Sequence, residues 1–528
     1  MPINSLGAMI DCSRGGVYTL PTLKKFFSYL SRMGYTYVQL YTEDVYEVDG
    51  EPYFGYLRGR YSKQDLKELD AAAKGYGLEL VPCIQTLAHL RGLTRWAEYA
   101  GVTDTGDILL ADDERTYALI EKMFSACAEC FSSRRINIGM DEAHMVGLGK
   151  YLDRYGFCDR YQILLRHLVR VVGIAERYGF SPMMWSDMFF RLAGGGEYRA
   201  GEIPQEVRDL VPEHLTLIYW DYYSTDEAHY QKMLRAHREF PVPVAFAGGA
   251  SCWYGFAPLN RFALRATEAA VRACLAEGVG ELFITCWKDD GAECPLFASL
   301  PVLYAAAQFA RGNFDMASVA AGFEKMFGVA WETFLALDGV NVGAGENLSN
   351  PSRYMLYSDP FLGIFDRTIT ACGTDFSVAF SQLSKGTRSR TFGYMFRTLC
   401  ALCRVLELKM PLGVRTRKVC RSGDEAALRA LIADYAELEK RLKIFYRHFS
   451  AQWERECRGN GFEHHDIRLG GLMQRVRHCR AMLSDVLSGR KERIAELGED
   501  ILPFADNADG TPVLYTDWLH TALIKPLL

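Results

Sequence analysis

The chain has 528 residues, 49% of them hydrophobic and 24% charged, and a formal net charge of −5. That length exceeds one ordinary domain and asks for roughly two to four, or for one large barrel with an appendage. The mildly acidic balance lacks the basic field that nucleic acid would need, and no run approaches the ~18 apolar residues of a membrane span. The opening MPINSLGAMIDCSRGG has no basic start followed by an apolar stretch, and the fifteen cysteines are odd in number and scattered. The expectation is a cytoplasmic protein with reduced thiols and no nucleic-acid or membrane partner.

In chain order, short apolar runs alternate with longer stretches of helical period. LGAMIDC (6–12) is followed by LPTLKKFFSYLSRMG, YVQLYT (37–42) by SKQDLKELDAAAKGYG, and ELVPCIQ (79–85) by DERTYALIEKMFSACAECF. INIGM (136–140) is followed by YQILLRHLVRVVGIAERYG, then come PMMWSD (182–187), LTLIYWD (215–221), VAFAG (244–248) with RFALRATEAAVRACLAEG, and LFITCW (282–287). Several helical stretches end in glycine, a common helix stop. Eight such alternations predict parallel strands with crossover helices, and eight is the number that closes a (β/α)8 TIM barrel. An open doubly wound sheet is less favoured, because SRGGVY after the first strand is no glycine-rich phosphate turn. Beyond about residue 312 the strands fade and helical periods dominate, as in EAALRALIADYAELEKRLKIFYRHF. The expected organisation is a catalytic barrel over 1–320 and a mostly α-helical C-terminal domain over 321–528, with ERECRGNGFEHHDIRLGG (454–471) as an interrupting polar loop carrying His464 and His465 on its surface. The CxxC pairs Cys127/Cys130 and Cys400/Cys403 fall in helical segments without a second half-site, so they read as helix packing.

A barrel of this class gathers its chemistry at the C-terminal strand ends. Asp11 and Arg14 lie at the first, Thr42, Glu43 and Asp44 at the second, and His89 beyond the third. The fourth delivers Asp141 and Glu142, the fifth Trp185 and Asp187, the sixth Trp220, Asp221 and Tyr222. Trp253 and Tyr254 follow the seventh, and Trp287, Asp290 and Glu293 the eighth. Four of the eight tryptophans thus fall at strand ends five to eight, between carboxylates. Indole faces suit the C–H faces of a pyranose, and carboxylates with arginine suit its hydroxyl rim, so the expected ligand is a sugar.

With these residues in view, INIGMDEAHMVGLGKYL resembles the signature of glycoside hydrolase family 20, the β-N-acetylhexosaminidases, whose Asp-Glu pair closes the fourth barrel strand. The likeness is to a bacterial subgroup with an N-terminal barrel and a helical C-terminal domain; it covers about residues 6–310 and extends toward FEHHDIRLGG. The chain departs from the family at Asn137, where many members carry histidine, and at Met140, where they carry glycine.

Neighbouring acids on one strand end are poorly placed to flank a glycosidic bond from opposite faces, as a nucleophile and an acid about 5–5.5 Å apart would. The resemblance implies substrate assistance instead: the sugar's 2-acetamido oxygen attacks the anomeric carbon. In that scheme Glu142 is the general acid and later base, and Asp141 orients the acetamide. Trp185, Trp220 and Trp287 enclose the acetamide methyl and the sugar face, with Trp253 as a further aromatic contact. Arg14 binds O3 and O4, His89 contributes a sugar contact, and Asp290 with Glu293 takes the O4/O6 end. The acetamide oxygen would be held by Tyr222 or Tyr254, with strand parity favouring Tyr222. Repulsion between adjacent acids raises the proton affinity of one, which suits a proton donor near neutral pH. The implied activity is a retaining exo-β-N-acetylhexosaminidase acting on terminal GlcNAc or GalNAc of β-linked glycans, with no metal and no cofactor. An exo-β-glycosidase of altered specificity, such as one for glucosamine, and a catalytically silent sugar-binding protein are the alternatives. A homodimer stays open.

Overall fold

The computed structural model describes residues 3–289, 291–341, 351–371 and 374–503. Eight strands close into one barrel: β1 (Ser5–Asp11), β2 (Tyr37–Glu43), β3 (Glu79–Ile84), β4 (Arg135–Asn137), β5 (Ser181–Trp185), β6 (Thr216–Trp220), β7 (Val244–Gly249) and β8 (Glu281–Cys286). Every neighbouring pair is parallel, and β1 closes the circle on β8 from Ser5↔Glu281 to Ile10↔Cys286. The predicted (β/α)8 barrel is therefore present, with all eight predicted strands at their expected places.

Long crossover helices follow most strands, among them α1 (Leu20–Met33), α2 (Lys63–Gly75), α3 (Glu114–Cys130) and α4 (Arg160–Arg177). Their ends obey local chemistry. Thr19 caps α1, whose stop is Gly34 at φ 87°, and Ser62 with Asp65 forms a reciprocal capping box on α2. Between β5 and β6 the chain makes only two short helices, Asp187–Ala193 and Gln205–Asp209. The helix α5 (Glu227–His237) after β6 was not foreseen, because its apolar face is thin.

The barrel interior is a packed core of Met9, Tyr37, Val81, Met183, Ile218, Ala245 and Phe283, with Trp220 and Trp287 packed against it. Gly7 is required there, since a Cβ would overlap the Tyr37 ring. A core filled in this way leaves chemistry to the strand ends.

The chain divides into two compact units. The first comprises 1–250, 263–288 and 302–319 and holds the barrel; the second comprises 251–262, 289–301 and 320–528. The second unit is helical among its described residues, dominated by helices Gly393–Ser422, Glu425–Glu456 and Glu463–Leu487. Here the expectation for 454–471 is corrected: the segment is a short turn running into helix, not a long loop. Its polar, glycine-bearing composition resembles a loop, yet the helix buries His465, Leu469 and Leu472, and a Cβ at Gly470 or Gly471 would meet nothing. His465 is not on the surface; its Nε2 lies 2.7 Å from the Gly291 carbonyl oxygen. Cys127, Cys130, Cys400 and Cys403 are buried on helices.

Candidate active site

The two acids sit on an unusual turn. Strand β4 has three residues and meets β3 through one register pair, Cys83↔Asn137. The backbone then leaves the sheet through Gly139 (φ 74°), Met140 (φ 71°) and Glu142 (φ 50°), all left-handed. For non-glycine residues such conformations cost ~1–3 kcal/mol each and persist only where neighbours over-determine them. The neighbours are Asn137 and Gln85. Asn137 Oδ1 accepts the Gly139 N–H at 3.0 Å and its Nδ2 donates to Gln39 at 3.0 Å. Gln85 Oε1 accepts the Met140 N–H at 3.2 Å, and its Nε2 donates to Asp141 Oδ1 at 2.7 Å and to Tyr41 Oη at 3.1 Å. Gly139 cannot be replaced freely, because a Cβ there would overlap Gln85 and come 2.8 Å from the Ile84 carbonyl oxygen. The two departures from the family pattern thus have local meaning. Asn137 ties the turn, and Met140 occupies a conformation natural to glycine.

From this turn a closed ring of contacts runs around the barrel mouth. His89, itself left-handed at φ 58°, places Nε2 3.1 Å from Asp141 Oδ2 and 3.6 Å from Glu142 Oε2. Glu142 Oε1 lies 3.5 Å from Arg191, whose Nε is 3.2 Å from Asp187 Oδ2. Asp187 also accepts the Glu142 N–H at 3.0 Å and the Trp220 Nε1–H at 3.3 Å. Trp220 stacks on Tyr222 (5.2 Å, 24°), and Tyr222 Oη accepts the Trp287 Nε1–H at 3.0 Å. Trp287 meets Tyr41 edge-on at 4.8 Å, and Tyr41 returns to Gln85 and Asp141. Arg14 joins from β1, its Nε 3.3 Å from Glu43 Oε1, which also accepts the Tyr41 hydroxyl at 3.1 Å. Arg58 supports the same corner, ion-paired with Asp44 and donating to the Ser13 carbonyl.

The two acids live in different surroundings. The Asp141 side chain is 10% exposed and that of Glu142 38%. Burial alone would raise the Asp141 carboxyl, but the adjacent His89 charge and the Gln85 hydrogen bond outweigh it and hold it below the ordinary carboxylate value. Burial would likewise lower His89, and Asp141 overrides that, lifting the imidazole to about 9. Asp141 and His89 are therefore an ionised pair at neutral pH. Next to Glu142, Asp187 is pushed up to about 7, by burial first and then by the negative charges of Asp141 and Glu142.

Of the residues singled out in the sequence, the first unit holds Asp141, Glu142, Arg14, His89, Trp185, Trp220, Tyr222 and Trp287. All are linked in the ring except Trp185, which is buried in the core 5.9 Å from the Trp287 ring and whose Nε1 has no hydrogen-bond partner among the described residues. Trp253, Tyr254 and Glu293 belong to the second unit. There Trp253 stacks on Tyr254 at 5.3 Å, and Glu293 is buried with its Oε2 2.7 Å from Arg353 and its Oε1 3.6 Å from Arg468. Asp290 lies outside the described residues. Sequence reasoning assigned no role to Gln85, Glu43, Asp187 or Arg191. Asp187 shares strand parity with Trp185, and Arg191 is four residues further on the helix that Asp187 opens, a spacing that brings the two together. Among the described residues no group of three or more His, Cys, Asp or Glu side chains is arranged to hold a metal ion, and no helix is long and apolar enough to cross a membrane.

A parallel (β/α)8 barrel with adjacent acids at the end of its fourth strand and aromatic walls around them defines a strand-end site of the kind that barrel enzymes use for small ligands. Residues 332–515 match the model of the Glycoside Hydrolase 20C C-terminal domain. The chain is 24% identical over 238 residues to hexosaminidase D of Homo sapiens, covering 43% of this chain and 47% of the relative. To hexosaminidase D of Bos taurus it is 23% identical, over 40% of this chain and 61% of the relative. The chain thus spans about half the length of the curated relatives it matches. Among solved structures, a β-N-acetylhexosaminidase from Bacteroides fragilis superposes with a TM-score of 0.47 at 16% identity, over 61% of this chain and 71% of that one. The family model over residues 332–515 and the curated relatives together mark a likeness to the hexosaminidases of glycoside hydrolase family 20.

Proposed function

We propose that the protein is a glycoside hydrolase that removes terminal, non-reducing β-linked N-acetylhexosamine by substrate assistance. The observation that carries this reading is the division of surroundings between Asp141 and Glu142. Asp141 is buried and held ionised, with one oxygen on Gln85 and the other on His89. Such a carboxylate is suited to hold and polarise an amide N–H. Glu142 is the more open of the two and is suited to pass a proton to the leaving oxygen and later take one from water.

In this reading the sugar's acetamide oxygen forms the new bond to the anomeric carbon while the glycosidic C–O bond breaks, and the Glu142 proton goes to the departing oxygen. Trp185, Trp220 and Trp287 wall the sugar ring and acetamide methyl, Arg14 meets O3 and O4, and Tyr222, tied to Trp287, receives the acetamide oxygen ahead of Tyr254. In the same reading residues 1–320 act as the catalytic domain with 321–528 as a helical companion. The natural substrate is a hexosamine-containing glycan, met in the cytoplasm.

The test is hydrolysis of 4-nitrophenyl β-glycosides of GlcNAc, GalNAc, glucosamine and glucose, with and without a thiazoline mimic of the cyclised intermediate. The expected result is cleavage of the acetamido sugars alone, with strong thiazoline inhibition. Cleavage of the glucoside at a comparable rate would overturn substrate assistance, and cleavage of the glucosaminide alone would point to altered specificity.

A further inference from the structure

From Trp220 in the ring a second line of polar contacts leads inward, all of it within the first unit. Its inner members are fully buried: Ser186, directly after β5, and His237, the last residue of α5. His237 Nδ1 lies 2.7 Å from the Met233 carbonyl oxygen, so the ring carries its proton there and Nε2 is left to accept. Burial holds the imidazole down to about 4, which keeps it neutral. Nε2 is 2.8 Å from Ser186 Oγ, and Ser186 Oγ is 3.0 Å from the Tyr198 hydroxyl. The Tyr198 oxygen accepts the Trp220 backbone N–H at 3.4 Å. Donation then runs one way, from Trp220 to Tyr198, from Tyr198 to Ser186, and from Ser186 to His237, with the Ile218 carbonyl oxygen as the serine's second acceptor at 2.8 Å.

The outer end of this line bears on the acid. Ser186 precedes Asp187, which accepts both the Glu142 N–H and the Trp220 Nε1–H. The Tyr198 and Trp220 rings lie 5.1 Å apart, and the Arg191 guanidinium is 5.8 Å from the first ring centre and 5.9 Å from the second. Arg191 is in turn 3.5 Å from Glu142 Oε1. We propose that Tyr198 is a positioning residue for Glu142: its ring sets Arg191 and Trp220, and its hydroxyl ties them to the buried Ser186–His237 pair. The proposal rests on the functional reading above and adds a residue that acts on the acid only through others.

The place of Tyr198 in the chain explains why such a tie is needed. It sits on the irregular segment between two short helices, not on a strand. That segment enters through Gly195 and Gly196, left-handed at φ 67° and 104°, where a Cβ would meet nothing. Arg191 donates to the Gly196 carbonyl at 3.1 Å, so a shift of this segment would carry the cation with it. Tyr198, two residues on, is the point at which the segment is fastened to buried groups.

Tyr198→Phe keeps the ring and removes the hydroxyl; Tyr198→Ala removes both. Each would be assayed on 4-nitrophenyl β-GlcNAc and on phenyl β-GlcNAc, whose poorer leaving group depends more on the acid's proton. The expected result for Tyr198→Phe is a fall in kcat roughly tenfold greater on the phenyl glycoside than on the nitrophenyl one, with KM unchanged, and a larger difference for Tyr198→Ala. A merely structural role would lower both substrates alike, through the fraction folded. An unchanged ratio of the two kcat values in Tyr198→Phe would overturn the proposal, even where Tyr198→Ala is inactive. Should the wild type cleave neither glycoside, the functional reading fails, and the positioning is read from Trp220 itself. The emission lost on Trp220→Phe is then measured with Tyr198 in place and in Tyr198→Phe. A contribution that is more readily quenched by acrylamide without the hydroxyl supports Tyr198 as the residue that holds Trp220, and an identical contribution removes it.

Discussion

Replacing His89 by glutamine tests the electrostatic centre of the site. The imidazole rises from 6.5 to about 9 in the fold, and each pH unit is worth 1.36 kcal/mol, so its charged form is favoured by about 3 kcal/mol net of the burial that opposes it. His89 and Asp141 are both largely buried, so solvent screening takes little of this away. The sign follows from linkage. A histidine raised in the fold contributes stability that is fully present below 6.5 and is lost as pH rises through about 9. A carboxylate lowered in the fold contributes stability that is present above 3.8 and is lost as pH falls. The pair therefore contributes most between 3.8 and 6.5. Urea unfolding of His89→Gln at about pH 5.5 is expected to show a loss of about 3 kcal/mol, and the gap should close above about pH 9. Under the proposed mechanism Asp141 must be ionised, so the acidic limb of kcat/KM against pH on 4-nitrophenyl β-GlcNAc should move upward in the variant. A stability gap that does not vary with pH, together with an unmoved acidic limb, would refute the ionised pair.

Further outcomes are expected elsewhere. Glu142→Gln should depress turnover most for poor leaving groups, whereas Asp141→Asn should hurt activated aryl substrates as well; a leaving-group series distinguishes them, and equal losses throughout would contradict the division of roles. Gly139→Ala forces a Cβ into Gln85 at a left-handed position and should cost ~1–3 kcal/mol in urea unfolding, while Gly470→Ala, in open space on a helix, should gain ~0.5–1 kcal/mol. Glu293→Ala leaves the fully buried Arg353 without its closest carboxylate and should cost ~3–5 kcal/mol, read as a fall in Tm whatever the effect on catalysis.

The barrel was legible in the sequence for a physical reason. Parallel strands are covered on both faces, so each appears as an apolar run, and most runs here stop at polar residues where the strand leaves the sheet. Asp141 and Glu142 stood out because nothing apolar separates them from such a run. Gln85 and Asn137 were less legible because their importance depends on a left-handed turn, and Met140 at φ 71° carries no mark of that conformation in its side chain. Asp187 and Arg191 went unassigned because the helix between them is only seven residues long, too short for a periodic signal. His465 was misread for the opposite reason: polar neighbours and two glycines concealed a helix that packs through every third or fourth residue.

The ring at the barrel mouth has no end, and that bears on how damage spreads. A chain of contacts cut once falls into two pieces, whereas a hoop cut once still holds every member to the rest. Removing the Trp287 N–H from Tyr222 leaves Tyr222 stacked on Trp220, and Trp287 still against Tyr41. Two cuts on opposite arcs would free a whole segment. Paired substitutions placed across the hoop should therefore misorient the acids by more than their separate effects add up to, while pairs within one arc should not.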